Sequence, residues 1–361
     1  MNPGATVLIM AGGTGGHVFP GLAVARELIA RGVKVTWLGT SRGIEARVVP
    51  ASGLPIEIDT ILVHGVRNKG AIAWLLLPFM LTRAMTQAFR VLHRRKPAVV
   101  LSFGGFVAGP GGLIAWLTRT PLIVHEQNAV PGFTNKRLAL FARHVLTGFP
   151  GGFGAFVCTR HVGNPVRQDI AAIPTPTARL TGRGGRLRVL VIGGSLGARV
   201  FNEVVPQALK AMPAEKRPSI RHQTGRGERE ATLAAYGELR AEVVEFIDDM
   251  AESYRWADVV IARAGAMTVA ETCASGSCAV FVPYPHAVDD HQTANARYLV
   301  ERGAATLIPQ QEFSAARLAT VLQSFADNRD LILEMARAAR GLAAPDAAQA
   351  VASACEEVLH A

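Results

Sequence analysis

Residues 257–296, ADVVIARAGAMTVAETCASGSCAVFVPYPHAVDDHQTANA, hold a strand, a glycine turn, a helix start and a polar segment in one short stretch. Val259, Val260 and Ile261 form an apolar run of the kind buried in a parallel sheet. Arg263, Ala264, Gly265 and Ala266 then turn the chain into a helix predicted over 267–274. The amides of Ala266, Met267 and Thr268 precede any intrahelical carbonyl partner, and with the helix dipole they favour an anion such as a diphosphate. Glu271, the one acidic residue of this helix after Val269 and Ala270, stands where a carboxylate can accept hydrogen bonds from two vicinal ribose hydroxyls. The alternative is a solvated helix carboxylate beside an ordinary glycine turn. Val280, Phe281 and Val282 form another buried strand, and Pro283 and Pro285 stiffen its exit. Asp289, Asp290, His291, Gln292 and Asn295 follow, donors and acceptors suited to a sugar's hydroxyls.

The same strand–glycine–helix grammar opens the chain. An apolar strand at 6–10 runs into Gly12, Gly13, Thr14, Gly15, Gly16 and His17, with a helix predicted through 21–30. A nicotinamide fingerprint would need glycine at Val18 and an acidic residue after the strand at 34–38, which ends in Gly39 and Thr40. A Walker A loop would need Gly-Lys-Ser/Thr. The loop offers backbone amides and one imidazole, His17, which reads either as a general base or as a helix-start side chain bonded to a neighbouring carbonyl. A second glycine loop, 102–112, follows the strand at 98–101. His125, Glu126, Gln127 and Asn128 follow the strand at 122–124, at a carboxyl end where open α/β sheets place ligands, although His125 and Glu126 also read as structural polar groups at a domain interface. Linker composition at 164–167, 173–176 and 182–185 marks a boundary. The strand at 187–192 then enters a third glycine loop, 193–199. The chain is predicted to be two doubly wound α/β domains in series, 1–163 and 164–345, with a last helix, 346–361, packing back on the first.

Composition bounds the function. With 361 residues and 49% hydrophobic content the chain can bury two cores. The N-terminus has no signal-peptide pattern, and Cys158, Cys273, Cys278 and Cys355 make no C-x-x-C pair or zinc spacing, so a cytoplasmic chain with reduced, mostly buried thiols is expected. The net charge of +10 is uneven: residues 1–163 hold 17 Lys and Arg against 5 Asp and Glu, a net of +12, and residues 164–361 hold 21 against 23. The first half therefore calls for an anionic partner, a membrane surface or a nucleic acid. Aromatic content of 6% and the absence of zinc-finger or RNP signatures argue against nucleic acid. The uncharged run 71–81, with Trp74, Leu75, Leu76, Leu77 and Phe79, is far short of the ~20 residues that span a bilayer. Flanked by Arg67, Lys69 and Arg83, it reads as an interfacial helix or as a core helix.

These blocks together resemble the MurG glycosyltransferases of peptidoglycan synthesis. GGTGGHVFPGLAVA at 12–25, the loop at 102–112, HEQNAVPG at 125–132, GNPVR at 163–167, GGSLGAR at 193–199, EFIDDM at 245–250 and the stretch at 257–296 fit in order. The resemblance implies a GT-B fold, two Rossmann-like domains facing a cleft. It implies inverting, metal-independent transfer of N-acetylglucosamine from UDP-N-acetylglucosamine to the C4 hydroxyl of undecaprenyl-diphosphate-linked N-acetylmuramoyl-pentapeptide, with no cofactor. By the same resemblance, Ser195 and the amides of Ala266 to Thr268 hold the donor diphosphate, with Val269 and Ala270 also in the substrate site, Glu271 holds the ribose, and Ile247 the uracil through its backbone. Arg167 and Asn128 help close the donor site, Gln292 meets the sugar hydroxyls, and His17 takes the acceptor's proton beside Thr14, Gly15 and Gly16. His291 stands where family members carry glutamine. The implied setting is peripheral, on an anionic membrane's cytoplasmic face beside a cell-wall synthesis complex. A nucleotide-sugar epimerase shares the architecture and the donor and is the rival reading.

Overall fold

The structure, a computed structural model, describes residues 5–63, 71–194 and 197–360, with the side chains of 71–77 and Val288 left out. The readings of Arg67, Lys69 and Ser195, and of the side chains of Trp74, Leu75, Leu76 and Leu77, lie outside the described residues. The chain divides into two compact units, one of residues 1–167 with 345–361 and the other of residues 168–344.

The first unit runs β1 (Thr6–Ala11), α1 (Gly15–Ala30), β2 (Lys34–Gly39), α2 (Glu45–Ala51), β3 (Glu57–Thr60), α3 (Ala71–Arg95), β4 (Val99–Gly104), α4 (Ala108–Leu117), β5 (Leu122–Glu126), α5 (Phe133–Leu138), β6 (His144–Thr147) and β7 (Thr159–His161). The second runs α6 (Gln168–Ala171), α7 (Pro176–Leu180), β8 (Arg188–Ile192), α8 (Arg199–Ala211), β9 (Ser219–Gln223), α9 (Arg229–Tyr236), β10 (Ala241–Val244), α10 (Met250–Trp256), β11 (Val259–Ala262), α11 (Ala266–Ser275), β12 (Cys278–Phe281), α12 (His291–Val300), β13 (Ala305–Leu307), α13 (Ala315–Asp327) and α14 (Arg329–Gly341). The last helix, α15 (Ala347–Leu359), belongs to the first unit and packs on α1.

Both sheets are parallel, in the orders β3-β2-β1-β4-β5-β6-β7 and β10-β9-β8-β11-β12-β13. In each, strand order reverses beside the unit's first strand, the switch point where doubly wound sheets open a crevice. Helices cover both faces, which is why the strands are continuous apolar runs. The period of two divides β1 between two cores: Val7, Ile9 and Ala11 pack with Val351 and Cys355 of α15, while Leu8 and Met10 pack with Ala88 and Leu92 of α3 and Ala108 of α4. Trp37 of β2 is fully buried, and its indole N–H donates to Ala11 O at 2.9 Å.

Docking of α15 redistributes the charge. The first unit holds 18 Lys and Arg against 8 Asp and Glu, a net of +10, and the second 20 against 20. The acids of α15 meet basic groups of that unit: Glu356 pairs with Arg31 at 2.7 Å and Glu357 with Arg160 at 3.0 Å.

The stretch read as linker contains a structural pin. Thr175 caps α7 by accepting from Ala178 N–H, with Pro176 in the first turn. Buried Arg179 of that helix donates to the carbonyls of Tyr254 and Ala257 at the end of α10 and of Ser275 and Gly276 at the end of α11. One cation thus ties two helix C-termini, the negative ends of their dipoles. Burial, with Arg183 and Arg340 nearby against Asp258, lowers its pKa to about 10, so it remains charged at neutral pH. Cys273, Cys278 and Cys355 are buried and Cys158 exposed; burial pushes the Cys273 and Cys355 thiols up to about 12.

Candidate active site

In the first unit the loops after β1 and β4 meet, because those strands are neighbours at the switch point. The backbone of Gly105 has φ +87°, and a Cβ there would lie 2.3 Å from Gly12 O. Only glycine permits both the left-handed backbone and that approach. The helix predicted from 21 in fact begins at Gly15, with Thr14 as its extended N-cap residue (φ −128°, ψ 157°) and Thr14 O accepting from His17 N–H and Val18 N–H. Gly15, Gly16 and His17 are thereby in the first helical turn. The His17 ring turns back over the loop: Nδ1 lies 3.3 Å from Gly12 O and 3.2 Å from Thr14 Oγ1. Gly104 leaves room beside the other nitrogen, since a Cβ there would lie 3.1 Å from His17 Nε2.

Behind this loop, His125 and Glu126 are buried at the end of β5. Glu126 accepts from Asn128 N–H, Gly132 N–H and the side-chain amides of Asn128 and Asn135. Asn128 is therefore held by its own neighbour. His125 Nε2 donates to Gly163 O at 2.9 Å, and Nδ1 accepts from Gln127 Nε2 at 3.0 Å. Burial, against the bond to Gly163, lowers its pKa to about 4, so this histidine is neutral at pH 7 with both nitrogens engaged. Arg167 lies with its guanidinium 5.9 Å from the centroid of the Phe19 ring.

In the second unit the switch point lies between β8 and β11. The glycine loop after β8 is held by Gln223, whose Nε2 donates to Gly194 O at 2.8 Å. After β11, Gly265 is the extended cap of α11, and the first bond closing a helical turn runs from Val269 N–H to Gly265 O at 2.9 Å. The amides of Ala266, Met267 and Thr268 precede that bond at the helix's positive end. Val269 is buried; Ala270 and Glu271 are half-buried, and the Tyr254 hydroxyl donates to Glu271 Oε2 at 3.3 Å. Ile247, half-buried, lies in the loop between β10 and α10. Gln292 is in the first turn of α12, and its Oε1 accepts from Tyr284 N–H at 2.9 Å.

Arg263, part of a turn by sequence, proves to be a structural cross-link beside the start of α11. Its guanidinium donates to Val282 O, Pro283 O and Gln310 Oε1 and lies over the Phe201 and Tyr284 rings, cross-linking the exits of β11 and β12. Glu45 was also missed, for nothing in its sequence context separates it from a solvated helix-start carboxylate. Among the described residues, no group of three His, Cys, Asp or Glu is placed to hold a metal ion.

Comparison with known proteins agrees with both halves. Residues 7–147 match the glycosyltransferase family 28 N-terminal domain, and residues 188–351 its C-terminal domain. A Marinobacter nauticus protein named UDP-N-acetylglucosamine–N-acetylmuramyl-(pentapeptide) pyrophosphoryl-undecaprenol N-acetylglucosamine transferase is 52% identical over 361 residues, 99% of each chain. The crystal structure of Acinetobacter baumannii MurG superposes with a TM-score of 0.84 at 41% identity, covering 98% of this chain and 99% of that one. A Neisseria meningitidis UDP-GlcNAc 2-epimerase, with a TM-score of 0.68 at 11% identity over 98% of this chain and 100% of that one, shares the fold alone. With both family domains in order and a relative half identical along its whole length, the chain belongs to glycosyltransferase family 28, among the MurG transferases.

Proposed function

We propose that this chain moves N-acetylglucosamine from UDP-N-acetylglucosamine to the C4 hydroxyl of a lipid-diphosphate-linked N-acetylmuramoyl-pentapeptide, with inversion. The observation that carries this reading is the 52% identity, over 99% of both chains, to a relative whose name states that donor and acceptor. In the mechanism, the acceptor hydroxyl gives its proton to His17 Nε2 while its oxygen attacks the anomeric carbon, and the bond to the UDP oxygen breaks on the opposite face. A positioned base of this kind contributes roughly 10²–10⁴-fold. The charge developing on the leaving diphosphate is met by the amide end of α11, and Ser195 is assigned to the same group.

Glu271 accepts from the ribose hydroxyls, its carboxylate oriented by Tyr254. Ile247 offers its backbone to uracil. Because Gln292 Oε1 is committed to Tyr284 N–H, contact with the sugar falls to its Nε2. Asn128 and Arg167 are assigned to donor-site closure, and Thr14, Gly15 and Gly16 to the acceptor side. The acceptor's lipid tail requires an enzyme at a membrane surface. Among the described residues no helix is long and apolar enough to cross one. The first unit offers instead its net charge of +10 and exposed apolar side chains: Phe79, Leu81 and Phe89 on α3, Trp116 and Leu117 on α4, and Phe133 on α5. This basic unit is read as lying on an anionic, cytoplasmic leaflet beside other cell-wall enzymes.

The test is UDP release from UDP-N-acetylglucosamine with and without a short-chain lipid-linked acceptor, for the parent and His17→Ala. The expected result is release and disaccharide formation only with acceptor, and roughly 10²–10⁴-fold slower turnover in the variant at nearly unchanged donor KM. Inversion at the sugar's C2 without acceptor would replace the reading with an epimerase, and an unchanged rate in the variant would remove His17 as the base.

A further inference from the structure

Glu45, at the start of α2, is fully buried, and all its hydrogen-bond donors are uncharged. Oε1 accepts from Thr40 N–H at 2.7 Å and from the Thr40 hydroxyl at 2.8 Å; that hydroxyl in turn accepts from Gly43 N–H at 3.0 Å. Oε2 accepts from Gly13 N–H at 3.0 Å. Three glycines are shaped around the side chain: a Cβ at Gly12, Gly39 or Gly43 would come within 2.7, 2.6 or 2.1 Å of it. In dinucleotide-binding sheets an acidic group beyond the second strand faces a ribose. Here a carboxylate from the region beyond the second strand turns back into the glycine loop instead.

The bond to Gly13 reaches His17. Gly13 N–H and Gly12 C=O belong to one planar trans peptide and point in opposite directions. The N–H faces the Glu45 carboxylate, and the carbonyl faces His17 Nδ1 at 3.3 Å. A carbonyl can only accept, so a hydrogen bond to Gly12 O places the proton on Nδ1, and the Thr14 hydroxyl at 3.2 Å, which can accept or donate, fits that arrangement as an acceptor. In the neutral ring the lone pair is then on Nε2, the nitrogen beside which Gly104 has no side chain. A charge-assisted bond to the N–H polarises the amide and strengthens its carbonyl as an acceptor.

We propose that Glu45 is a positioning residue that, through the Gly12–Gly13 peptide, fixes His17 as the Nδ1–H tautomer with its lone pair on Nε2. The inference rests on the reading of His17 as the base. The arrangement does the work of the carboxylate that orients a catalytic histidine in hydrolase triads, with one peptide unit interposed. When Nε2 takes the acceptor's proton, the imidazolium retains the same Nδ1–H bond, so the loop need not rearrange.

The test uses the full chain carrying ¹⁵N-labelled histidine, with His17→Ala to assign the His17 signal. Imidazole ¹⁵N shifts distinguish a protonated from an unprotonated ring nitrogen. The parent is expected to show Nδ1 protonated. Glu45→Gln, which cannot accept at both Gly13 and Thr40, is expected to give a mixture of tautomers and roughly 10–100-fold lower kcat, with donor KM within about twofold. Glu45→Asp, which keeps the charge but draws it back from Gly13, should fall between. An Nε2–H tautomer in the parent, or an unchanged tautomer and kcat in Glu45→Gln, would overturn the proposal. So would loss of fold in both variants by circular dichroism, which would assign Glu45 to stability alone. An active His17→Ala would refute the base reading and leave the tautomer result standing.

Discussion

Gly105→Ala tests whether the meeting of two distant glycine loops sets the reaction rate. The new Cβ would lie 2.3 Å from Gly12 O and 3.0 Å from Gly12 C, where ordinary contact begins near 3.4 Å, so the loop must retreat by about 1 Å. The left-handed backbone at φ +87° adds about 1–2 kcal/mol for a residue with a Cβ. Gly12 O is the carbonyl facing His17 Nδ1, so the shift is transmitted to the imidazole. Misplacement of a catalytic group by 1 Å costs on the order of 10²-fold. Turnover with a soluble acceptor should fall by that order, while donor KM stays near the parent's because every proposed donor contact of the second unit is untouched. Gly32→Ala is the matched control: its φ is +80° and its Cβ would meet nothing within 4 Å, so it carries the backbone strain without the displacement. Equal melting temperatures and equal kcat in the two variants would refute the reasoning.

Other substitutions test other parts of the structure. Arg179→Met leaves four carbonyls at the ends of α10 and α11 without their shared donor and should cost about 3–5 kcal/mol, measured by denaturant unfolding; a loss below about 1 kcal/mol would show that water takes the guanidinium's place. His125 has a folded pKa of about 4 against about 6.5 unfolded, so its contribution is fully present above pH 6.5 and is lost as pH falls toward 4. The first unit should lose about 2 kcal/mol between pH 7 and 5 from this group, and His125→Gln should flatten that slope; an unaltered slope would mean that His125 is not the titrating group. Phe79→Ala with Trp116→Ala should weaken sedimentation with anionic vesicles about tenfold or more while sparing turnover of a soluble acceptor; parent-like binding would place the membrane contact elsewhere.

The sequence by itself determined the architecture. Runs such as Val259, Val260 and Ile261 are apolar on both faces because helices cover both sides of a parallel sheet, and glycine after such a run marks the passage into a helix. Local chemistry also made the amide end of α11 legible, since capping depends on a few adjacent residues. The helix that begins at Gly15, and not at 21, shows the limit of such reading: two glycines weigh toward loop by propensity, while packing of α1 on the sheet and on α15 holds them helical. Other features required the tertiary structure because their partners are far apart in sequence. Glu45 reads as a surface carboxylate until β2 and α2 bring it under Gly13, 32 residues away. Arg179 lies between two segments of linker composition, and its role appears only where the ends of α10 and α11 converge on it. Gly12 and Gly105 belong to separate loops until the strand order places β1 beside β4. The Gly12 carbonyl that faces His17 Nδ1 is likewise held by Glu45 from outside the loop, and no pattern within the loop encodes that contact.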